Sequence, residues 1–287
     1  MSREYRILCD STADMPWSYY EERDVKLACM SYTVDGEEYI GAALSPKEFY
    51  DKLRAGSTAT TAQINMDVFT KSFEEEIAAG RDVLYLCFSS GLSGTCNSAQ
   101  IAAEDVMERH PEAKVIVVDS LAASAGEGLL LDYLVENKKK GMTLEENAAW
   151  AVEHRLNLAH WFTVDDLNHL YRGGRVSKTA AVFGTLLGIK PVLHVDDEGH
   201  LVPMEKVRGR QASLEGLVRH MREDGLDLPS QKIFISHGDC RADAEKVAEM
   251  VRNEFGVREV LITDIGPVVG AHSGPGTVAL FYMGKKR

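Results

Sequence analysis

Short apolar runs without polar alternation, separated by segments of helical spacing, are the feature that most limits how this chain can fold. The clearest runs are residues 83–88 (VLYLCF) and 115–118 (VIVV), and a helix is predicted between them over 97–110. Residues 25–34 predict a further strand. Strands that lack alternation are buried on both faces, which is typical of a parallel sheet covered by helices. The first half therefore predicts an α/β fold, a Rossmann-like domain with a parallel sheet.

The pattern changes after about residue 158. A strand is predicted over 159–164, and two segments, 192–195 and 200–206, flank an Asp-Asp-Glu-Gly turn that is typical of a β-hairpin. With a last strand over 277–283, this half predicts a mixed α+β domain. We therefore divide the chain into an N-terminal domain, residues 1–158, and a C-terminal domain, residues 159–287.

The apolar runs are far shorter than the about 20 residues that cross a bilayer, so no integral membrane segment is predicted. The N-terminus lacks a basic region followed by a long apolar stretch, so no signal peptide is predicted. The five cysteines show no CxxC spacing and lie in or beside apolar runs, which is typical of reduced thiols. These features together predict a cytoplasmic protein.

The charge is unevenly divided along the chain. Residues 1–150 contain 14 Lys and Arg against 26 Asp and Glu, a net charge of −12, whereas residues 151–287 contain 18 of each. The acidic half would repel a duplex, so a nucleic acid partner is not expected. One local exception, residues 172–210, has seven basic against four acidic residues and is suited to an anion or an acidic protein surface.

Residues 89–95 (SSGLSGT) lie between a predicted buried strand and a predicted helix. Ligands of open α/β sheets bind at the carboxyl ends of strands, where a helix N-terminus favours an anion. Ser93 or Thr95 either faces such a ligand or only caps the helix. The chain contains neither GxxxxGK[ST] nor a GxGxxG after a strand, so a P-loop and a dinucleotide fingerprint are both excluded.

Two further loops contain candidate ligand groups. Residues 58–63 (TATTAQ) precede a helix predicted to begin near Ile64, and Thr61 either caps that helix or donates to a carboxylate; local sequence favours the cap. Residues 172–178 (RGGRVSK) combine arginines with two glycines, which suits either an anion clamp or a solvated turn.

Residues 266–276 contain four glycines, two prolines and a single histidine, His272. A histidine held in such a tightly turned loop is a candidate to bind an anion or move a proton, although a structural role is the alternative. A Ser–His hydrolase using Ser93 with His272 or His237 is compatible with the spacing, but the GxSxG elbow is absent. No zinc-type spacing occurs and no metal is predicted.

Six segments, taken in order, resemble those of the DegV family of bacterial fatty-acid-binding proteins, and the resemblance covers essentially the whole chain. They are residues 10–14 (DSTAD), 60–63 (TTAQ), 89–95 (SSGLSGT), 172–175 (RGGR), 205–208 (EKVR) and 266–276 (GPVVGAHSGPG). Each segment alone is weakly specific, whereas all six in this order are a strong match.

The resemblance implies a two-domain α/β protein that holds a long-chain fatty acid between its domains and uses no other cofactor. Thr61 and Ser93 match the family hydroxyls that hold the carboxylate, and His272 matches a histidine nearby. Arg172 matches an arginine near the head group. On physical grounds the backbone at Gly94 is a further donor, because a carboxylate withdrawn from water needs two or three.

The resemblance also implies a partner. Family members present the acyl carboxylate to an ATP-dependent fatty acid kinase, which forms the acyl phosphate used in lipid metabolism. Arg208 matches an arginine expected near the exit of the site and facing that kinase. The implied function is therefore that of a lipid-binding carrier and not of an enzyme.

Two other functions stay open at this point. A serine esterase or thioesterase would use Ser93 and His272, and a regulatory module would sense acyl chains and dock on another protein. The sequence also departs from the family pattern, since Ala62 and Ile64 replace the usual Ser and Pro and Cys96 stands where an aromatic residue is common. We expect these changes to affect the pocket wall and the chain-length preference.

Overall fold

The computed structural model describes residues 3–177 and 188–287, so Lys178 of the basic loop lies outside the described residues. In chain order the strands are β1 (Tyr5–Asp10), β2 (Val25–Ala28), β3 (Ser31–Val34), β4 (Glu37–Ile40), β5 (Ala59–Ala62), β6 (Asp82–Cys87), β7 (Val115–Asp119), β8 (Leu158–Thr163), β9 (Ile189–Val195), β10 (Leu201–Arg208), β11 (Lys232–His237), β12 (Glu259–Asp264) and β13 (Val278–Met283).

The helices of the described residues are, in the same order, α1 (Trp17–Glu22), α2 (Pro46–Arg54), α3 (Met66–Ala78), α4 (Thr95–Arg109), α5 (Ala125–Lys139), α6 (Leu144–His154), α7 (Asn168–Arg172), α8 (Arg210–Asp224), α9 (Arg241–Phe255) and α10 (Pro267–Ser273). Short 3-10 turns cover Ser11–Ala13, Arg155–Asn157 and Leu228–Ser230.

The N-terminal sheet has the order β2-β1-β6-β7, and all its pairs are parallel. Its central strand β6 is buried on both faces: Val83 and Tyr85 pack with α3 and α4, whereas Leu84 and Leu86 pack with α5 and α6. Burial on both faces therefore explains why apolar and polar residues do not alternate in this strand. The predicted parallel sheet covered by helices is confirmed.

The C-terminal sheet has the order β10-β9-β8-β13-β11-β12. Among the described strands of this sheet, only β11 and β12 pair in parallel, and β9 and β10 form the predicted antiparallel hairpin. The mixed α/β architecture is confirmed. Helices α8 and α9 pack on one face of this sheet, and α5 packs on the other.

Helix α5 lies between the two sheets, and one apolar core joins both halves of the chain. This core contains Leu84 and Leu129 from the first half together with Phe162 and Phe281 from the second. The change of sheet falls at β8, which begins at Leu158. The division into residues 1–158 and 159–287 stays a prediction.

The single strand expected over residues 25–34 is wrong. The segment forms two strands in different sheets, because β2 pairs with β1 whereas β3 pairs with β4 and β5. The chain leaves the parallel sheet near Met30, whose backbone N–H donates to Ser11 Oγ at 3.1 Å. This contact between distant segments has no signature in the local pattern.

The expected helix cap at Thr61 is also wrong. Thr61 lies within β5 and pairs with Tyr32 of β3 in a three-stranded antiparallel sheet. Helix α3 is capped instead by Asn65, whose side chain accepts from the Val68 N–H at 3.1 Å. The partner strand supplies hydrogen bonds that the local sequence does not reveal, and it frees the Thr61 hydroxyl for another role.

Part of the glycine-rich segment 266–276 forms a helix, α10, where only a shaped loop was expected. Pro267 occupies the first turn, a position that favours helix initiation. Gly274, with φ of +76°, ends the helix. Helix α8 was not predicted at all.

Residues 3–177 and 188–287 contain no helix with the length and apolarity that a membrane span requires. Helices α4, α5, α8 and α9 each have 15 residues, which extend about 22 Å.

Candidate functional site

A cavity of about 270 Å³ lies between the carboxyl edge of the parallel sheet and the C-terminal sheet. Loops after β6 and β7 form one wall, and β8, β13 and α10 form the others. Its lining is mostly apolar, and three of its polar residues, Thr61, Arg175 and His272, also line a neighbouring cleft. The lining residues are Met30, Thr61, Gln63, Phe88, Leu92, Ser93, Gly94, Ala123, Ser124, His160, Phe162, Leu170, Arg175, Val195, Leu201, Ile265, Val268, Val269, His272, Ser273, Thr277, Ala279 and Phe281.

Thr61 and His272 meet where the cavity adjoins this cleft, a place that we call the mouth. Strand β5 presents Thr61 and helix α10 presents His272, and the Thr61 Oγ1 atom lies 2.8 Å from His272 Nε2. Burial, with a smaller contribution from the positive charge of Arg175, lowers the pKa of His272 to about 4. The imidazole is therefore neutral at physiological pH.

The backbone at Gly173 packs directly against the His272 ring. A β-carbon built on Gly173 would fall well inside van der Waals contact with His272 Nδ1. Gly173 has φ of −72°, so its glycine identity is required by this contact and not by backbone conformation. The absence of a side chain here lets the ring reach Thr61.

Ser93 also lines the cavity and lies in the turn before α4. Its Oγ atom accepts the Thr95 N–H at 3.2 Å and lies 3.0 Å from Thr95 Oγ1, which itself accepts the Ile64 N–H at 3.2 Å. Gly94 occupies the N-cap position of α4 and packs against the side chain of Gln63. The two hydroxyl-containing motifs that the sequence singled out are therefore in direct contact.

The two arginines of the basic loop take different positions. Arg172 is exposed and lies 3.1 Å from His169 Nδ1, away from the cavity lining. Arg175 is partly buried and lines the cavity, and its Nε and Nη2 atoms donate to the Leu92 carbonyl at 3.1 and 3.0 Å. Its Nη1 atom donates to the Gly173 carbonyl. The structure thus brings Arg175, and not Arg172, to the mouth.

An outer cleft of about 380 Å³ adjoins the cavity on the solvent side. Thr61, Arg175 and His272 line both spaces, whereas Arg172 and His169 line only the cleft. A head group at the mouth would consequently be reachable from outside through this cleft.

Arg208 lies at the end of the edge strand β10 and is exposed. Among the residues that the structure describes, its side chain forms no ion pair or hydrogen bond, in contrast to Arg210, which pairs with Asp243 at 2.8 Å. Arg208 is not part of the cavity lining. Its position leaves the guanidinium available to a partner.

The Ser–His pair that an esterase requires is not assembled in the described part of the chain. Ser93 contacts Thr95, and His272 contacts Thr61. His237, the other candidate base, lies beside Asp264 at 3.5 Å. The low pKa of His272 further makes it a weak base.

The described residues contain two groups of potential metal ligands. Asp10 and Asp14 use their carboxylates to accept hydrogen bonds from neighbouring loops. Cys87, Cys96 and Asp119 have ligand atoms within 4.8 Å of one another. Burial, followed by contact with Cys96, raises the pKa of the Cys87 thiol, and Asp119 accepts the backbone N–H groups of Ser90 and Leu121. Neither group has the chemistry of a committed metal site.

The fold and site define a class of α/β protein that encloses a ligand-sized apolar cavity with a polar, solvent-reachable mouth. The chain belongs to the DegV family, whose profile, described as "Uncharacterised protein, DegV family", matches residues 4–285. A DegV domain-containing protein of Clostridium perfringens is 44% identical over 285 residues, which cover 98% of each chain. The predicted resemblance to the DegV family is confirmed.

Solved structures share the whole architecture. A Thermotoga maritima protein, described as having a fatty acid binding function, has a TM-score of 0.85 and 30% identity, covering 98% of this chain and 99% of the other. The Streptococcus pneumoniae fatty acid kinase B3 protein, loaded with linoleic acid, has a TM-score of 0.85 over 98% and 99% of the chains. At 20% identity, this second likeness concerns the fold alone. The prediction of a binding protein rather than an enzyme agrees with the description of the Thermotoga maritima protein.

Proposed function

We propose that this protein binds a long-chain fatty acid in the cavity and presents its carboxylate at the mouth to an ATP-dependent fatty acid kinase. The observation that carries the proposal is the hydrogen bond between Thr61 and the neutral His272 at the mouth of a mostly apolar cavity. Fatty acid binding by the Thermotoga maritima relative supports the choice of ligand.

The mouth offers hydroxyl hydrogens to an anion. His272 Nδ1 is buried without a partner among the described residues, so the ring hydrogen is better placed on Nε2, where Thr61 Oγ1 accepts it. The hydroxyl hydrogen of Thr61 is then free for the ligand. The Ser93 hydroxyl oxygen already accepts the Thr95 N–H. When the Thr95 hydroxyl also donates to this oxygen, the hydroxyl hydrogen of Ser93 is free for the ligand. Together with the Gly94 backbone, these donors would hold the carboxylate.

Arg175 supports the same site in another way. Its guanidinium already donates to Leu92 and Gly173, which ties the Ser93 loop to the loop that packs on His272. The positive charge remains near the mouth and stabilises an anion there. Arg172, in the outer cleft, is placed to meet a group that approaches from solvent.

The acyl chain would occupy the apolar part of the cavity. Each methylene removed from water contributes about 0.8 kcal/mol, so the tail dominates affinity while the mouth fixes orientation. The cavity volume is close to the lower end of small-molecule pockets, which begin at about 300 Å³.

The outer cleft and the exposed Arg208 are the two features that support an interaction with a partner protein. The cleft gives a phosphoryl donor access to the head group, and an unpaired guanidinium suits an acidic or phosphate-bearing partner. The choice of partner is motivated by the Streptococcus pneumoniae fatty acid kinase B3 protein, which has this fold and is loaded with linoleic acid. All five cysteines are free thiols, which supports a cytoplasmic location.

Thr61→Val and Ser93→Ala should each weaken fatty acid retention about tenfold, because each removes one hydroxyl donor to an ionised group. Native mass spectrometry of protein purified from a bacterial host, with lipid extraction, measures the bound fraction. Wild-type protein should retain about one C14 to C18 acid per chain.

Two variants serve as controls for that experiment. Thr33→Val makes the same change in the neighbouring strand β3, outside the cavity lining, and should retain fatty acid as wild type does. Arg208→Ala should also retain it but should be phosphorylated more slowly by a fatty acid kinase. A wild-type protein that stays free of lipid and refuses added palmitate or oleate would exclude the proposed function.

A further inference from the structure

Strand β5 is an edge strand of the small antiparallel sheet, whose order is β4-β3-β5. It pairs with β3 on one side, and no described strand pairs with its other side. Successive residues of an antiparallel strand direct their main-chain groups alternately towards one neighbour and towards the other. One row of N–H and C=O groups in β5 is therefore left without a partner strand.

The register of β3 with β5 identifies the residues of this unpaired row. The Asp35 N–H donates to the Thr58 carbonyl at 3.1 Å, just before β5 begins. Because bonded and non-bonded pairs alternate along antiparallel strands, Thr60 also bonds to β3. Ala59 and Thr61 consequently direct their main-chain N–H and C=O groups outward, where no described residue bonds to them.

The outer edge of β5 lacks the features that usually prevent a sheet edge from pairing, namely charged side chains, prolines and bulges. The opposite edge of the same sheet, β4, carries Glu37 and Glu38. The edge strand β10 of the C-terminal sheet contains Pro203 and a shift of register just after it. Strand β5 has the sequence Ala-Thr-Thr-Ala, and the side chains of Thr60 and Ala62 are exposed. Its small uncharged residues leave the edge open to another strand.

The outer cleft lies beside this edge. Residues 57–61 form one of its walls, and α7 with the loop that follows forms another. Arg172 and Arg175 are the charged side chains of the lining, which contains no carboxylate among the described residues. An extended segment that carries acidic residues is complementary to such a cleft. Thr61 belongs to both features, because its hydroxyl lies at the mouth and its main chain lies at the open edge.

We propose that the kinase docks by strand addition, with an extended acidic segment of the kinase pairing with the outer edge of β5 in the outer cleft. This inference rests on the proposed function, which supplies the partner. Adjacent strands lie about 4.8 Å apart, so the added segment would lie directly beside the main chain of Thr61. Since the Thr61 hydroxyl holds the carboxylate, the same pairing positions the kinase next to the group that it phosphorylates.

Amide hydrogen exchange of the oleate-loaded protein, with and without purified fatty acid kinase, tests the inference. The kinase should slow exchange at Ala59 and Thr61 by about tenfold or more, because each amide gains a main-chain hydrogen bond. Glu38 and Ile40, whose amides point outward from β4, should exchange at unchanged rates. These two residues are the internal control for a general effect of binding.

The other outcomes of the exchange measurement separate the two proposals. A kinase that phosphorylates the bound acid without slowing exchange at Ala59 and Thr61 would overturn strand addition and leave the proposed function intact. Slower exchange on raising the protein concentration without kinase would assign the edge to a second copy of this chain and would also overturn it. If the kinase neither binds nor phosphorylates the loaded protein, both proposals fail.

A pair of proline variants tests the same pairing through kinetics. Ala59→Pro removes one outward N–H and leaves the bonds to β3 in place, a position at which edge strands tolerate proline. It should raise the KM of the kinase for the loaded protein about tenfold, with fatty acid retention unchanged. Glu38→Pro makes the matching change on the β4 edge and should leave KM as in the wild type.

An unchanged KM for Ala59→Pro would contradict strand addition. If Ala59→Pro also loses its fatty acid, the exchange measurement on the wild-type protein decides the question.

Discussion

Replacing Gly173 by alanine is expected to weaken fatty acid binding about a hundredfold. The added β-carbon would overlap His272 Nδ1, so either the ring moves away from Thr61 or the loop that carries Arg175 lifts from the Ser93 turn. Overpacking of this kind costs about 1–3 kcal/mol, and hydrogen bonds to ionised groups contribute similar amounts. Titration calorimetry of delipidated protein with stearate measures the change in Kd.

A double-mutant cycle shows whether this contact is the cause. In a His272→Ala background the space beside Gly173 is open, so Gly173→Ala should change Kd there by no more than roughly twofold. Backbone strain is not a competing cause, because φ at this position suits alanine. The same hundredfold loss in both backgrounds would mean that the glycine acts through something other than His272.

Asp10→Ala is expected to lower the free energy of unfolding by about 3 kcal/mol or more. Asp10 is fully buried, and its carboxylate accepts the Phe88 N–H at 2.8 Å, the Tyr85 hydroxyl at 3.1 Å, and both the N–H and hydroxyl of Thr12. Each buried donor left without a partner costs about 1–3 kcal/mol. Relief of the repulsion with the buried acid Glu127, whose pKa is raised by burial and by Asp10, offsets part of this cost.

Urea unfolding of the wild type and variant measures the effect, with Asp35→Ala as the matched control. Asp35 also accepts a backbone N–H, that of Thr58 at 2.9 Å, but it is exposed, so its removal should cost only about 1 kcal/mol. Equal losses for the two variants would contradict the role assigned to Asp10. Because Phe88 begins the Ser93 loop and lines the cavity, Asp10→Ala should also weaken ligand binding.

The local sequence was sufficient to predict where the Ser93 loop lies in the fold. A continuous apolar strand followed by small and hydroxyl residues, and then by a helix, specifies a strand-end loop at a helix N-terminus. The structure has β6, the turn and α4 in that order. His272 was likewise a candidate because it is the only histidine in a dense group of turn-forming residues.

The local sequence was insufficient to predict the role of Thr61 and to choose between the two arginines of the basic loop. The hydroxyl of Thr61 had an equally good local role as a helix cap, and only the pairing of β5 with Tyr32 removes that role. Arg172 and Arg175 belong to the same motif, so the choice between them depends on how α7 ends against Leu92. Neither the pairing of β5 with β3 nor the contact of Arg175 with Leu92 is specified by residues that are close to the site in sequence.

His160 illustrates the same limit most clearly. In the sequence it is one polar residue in an apolar strand, and nothing nearby indicates whether its ring is paired. Only the register of β8 with β13 and the approach of α5 at Gly126 bury its ring between the cavity and that helix.

The amino-acid pattern was sufficient to predict the parallel sheet, the mixed second half and the family, because periodicity and short motifs depend on neighbouring residues and on their order. The contacts between distant elements became visible only in the folded chain: Thr61 with His272, Gly173 with the same ring, and Arg175 with Leu92. These contacts join segments more than eighty residues apart. Their geometry is set by how the two sheets pack on α5, which no local pattern contains.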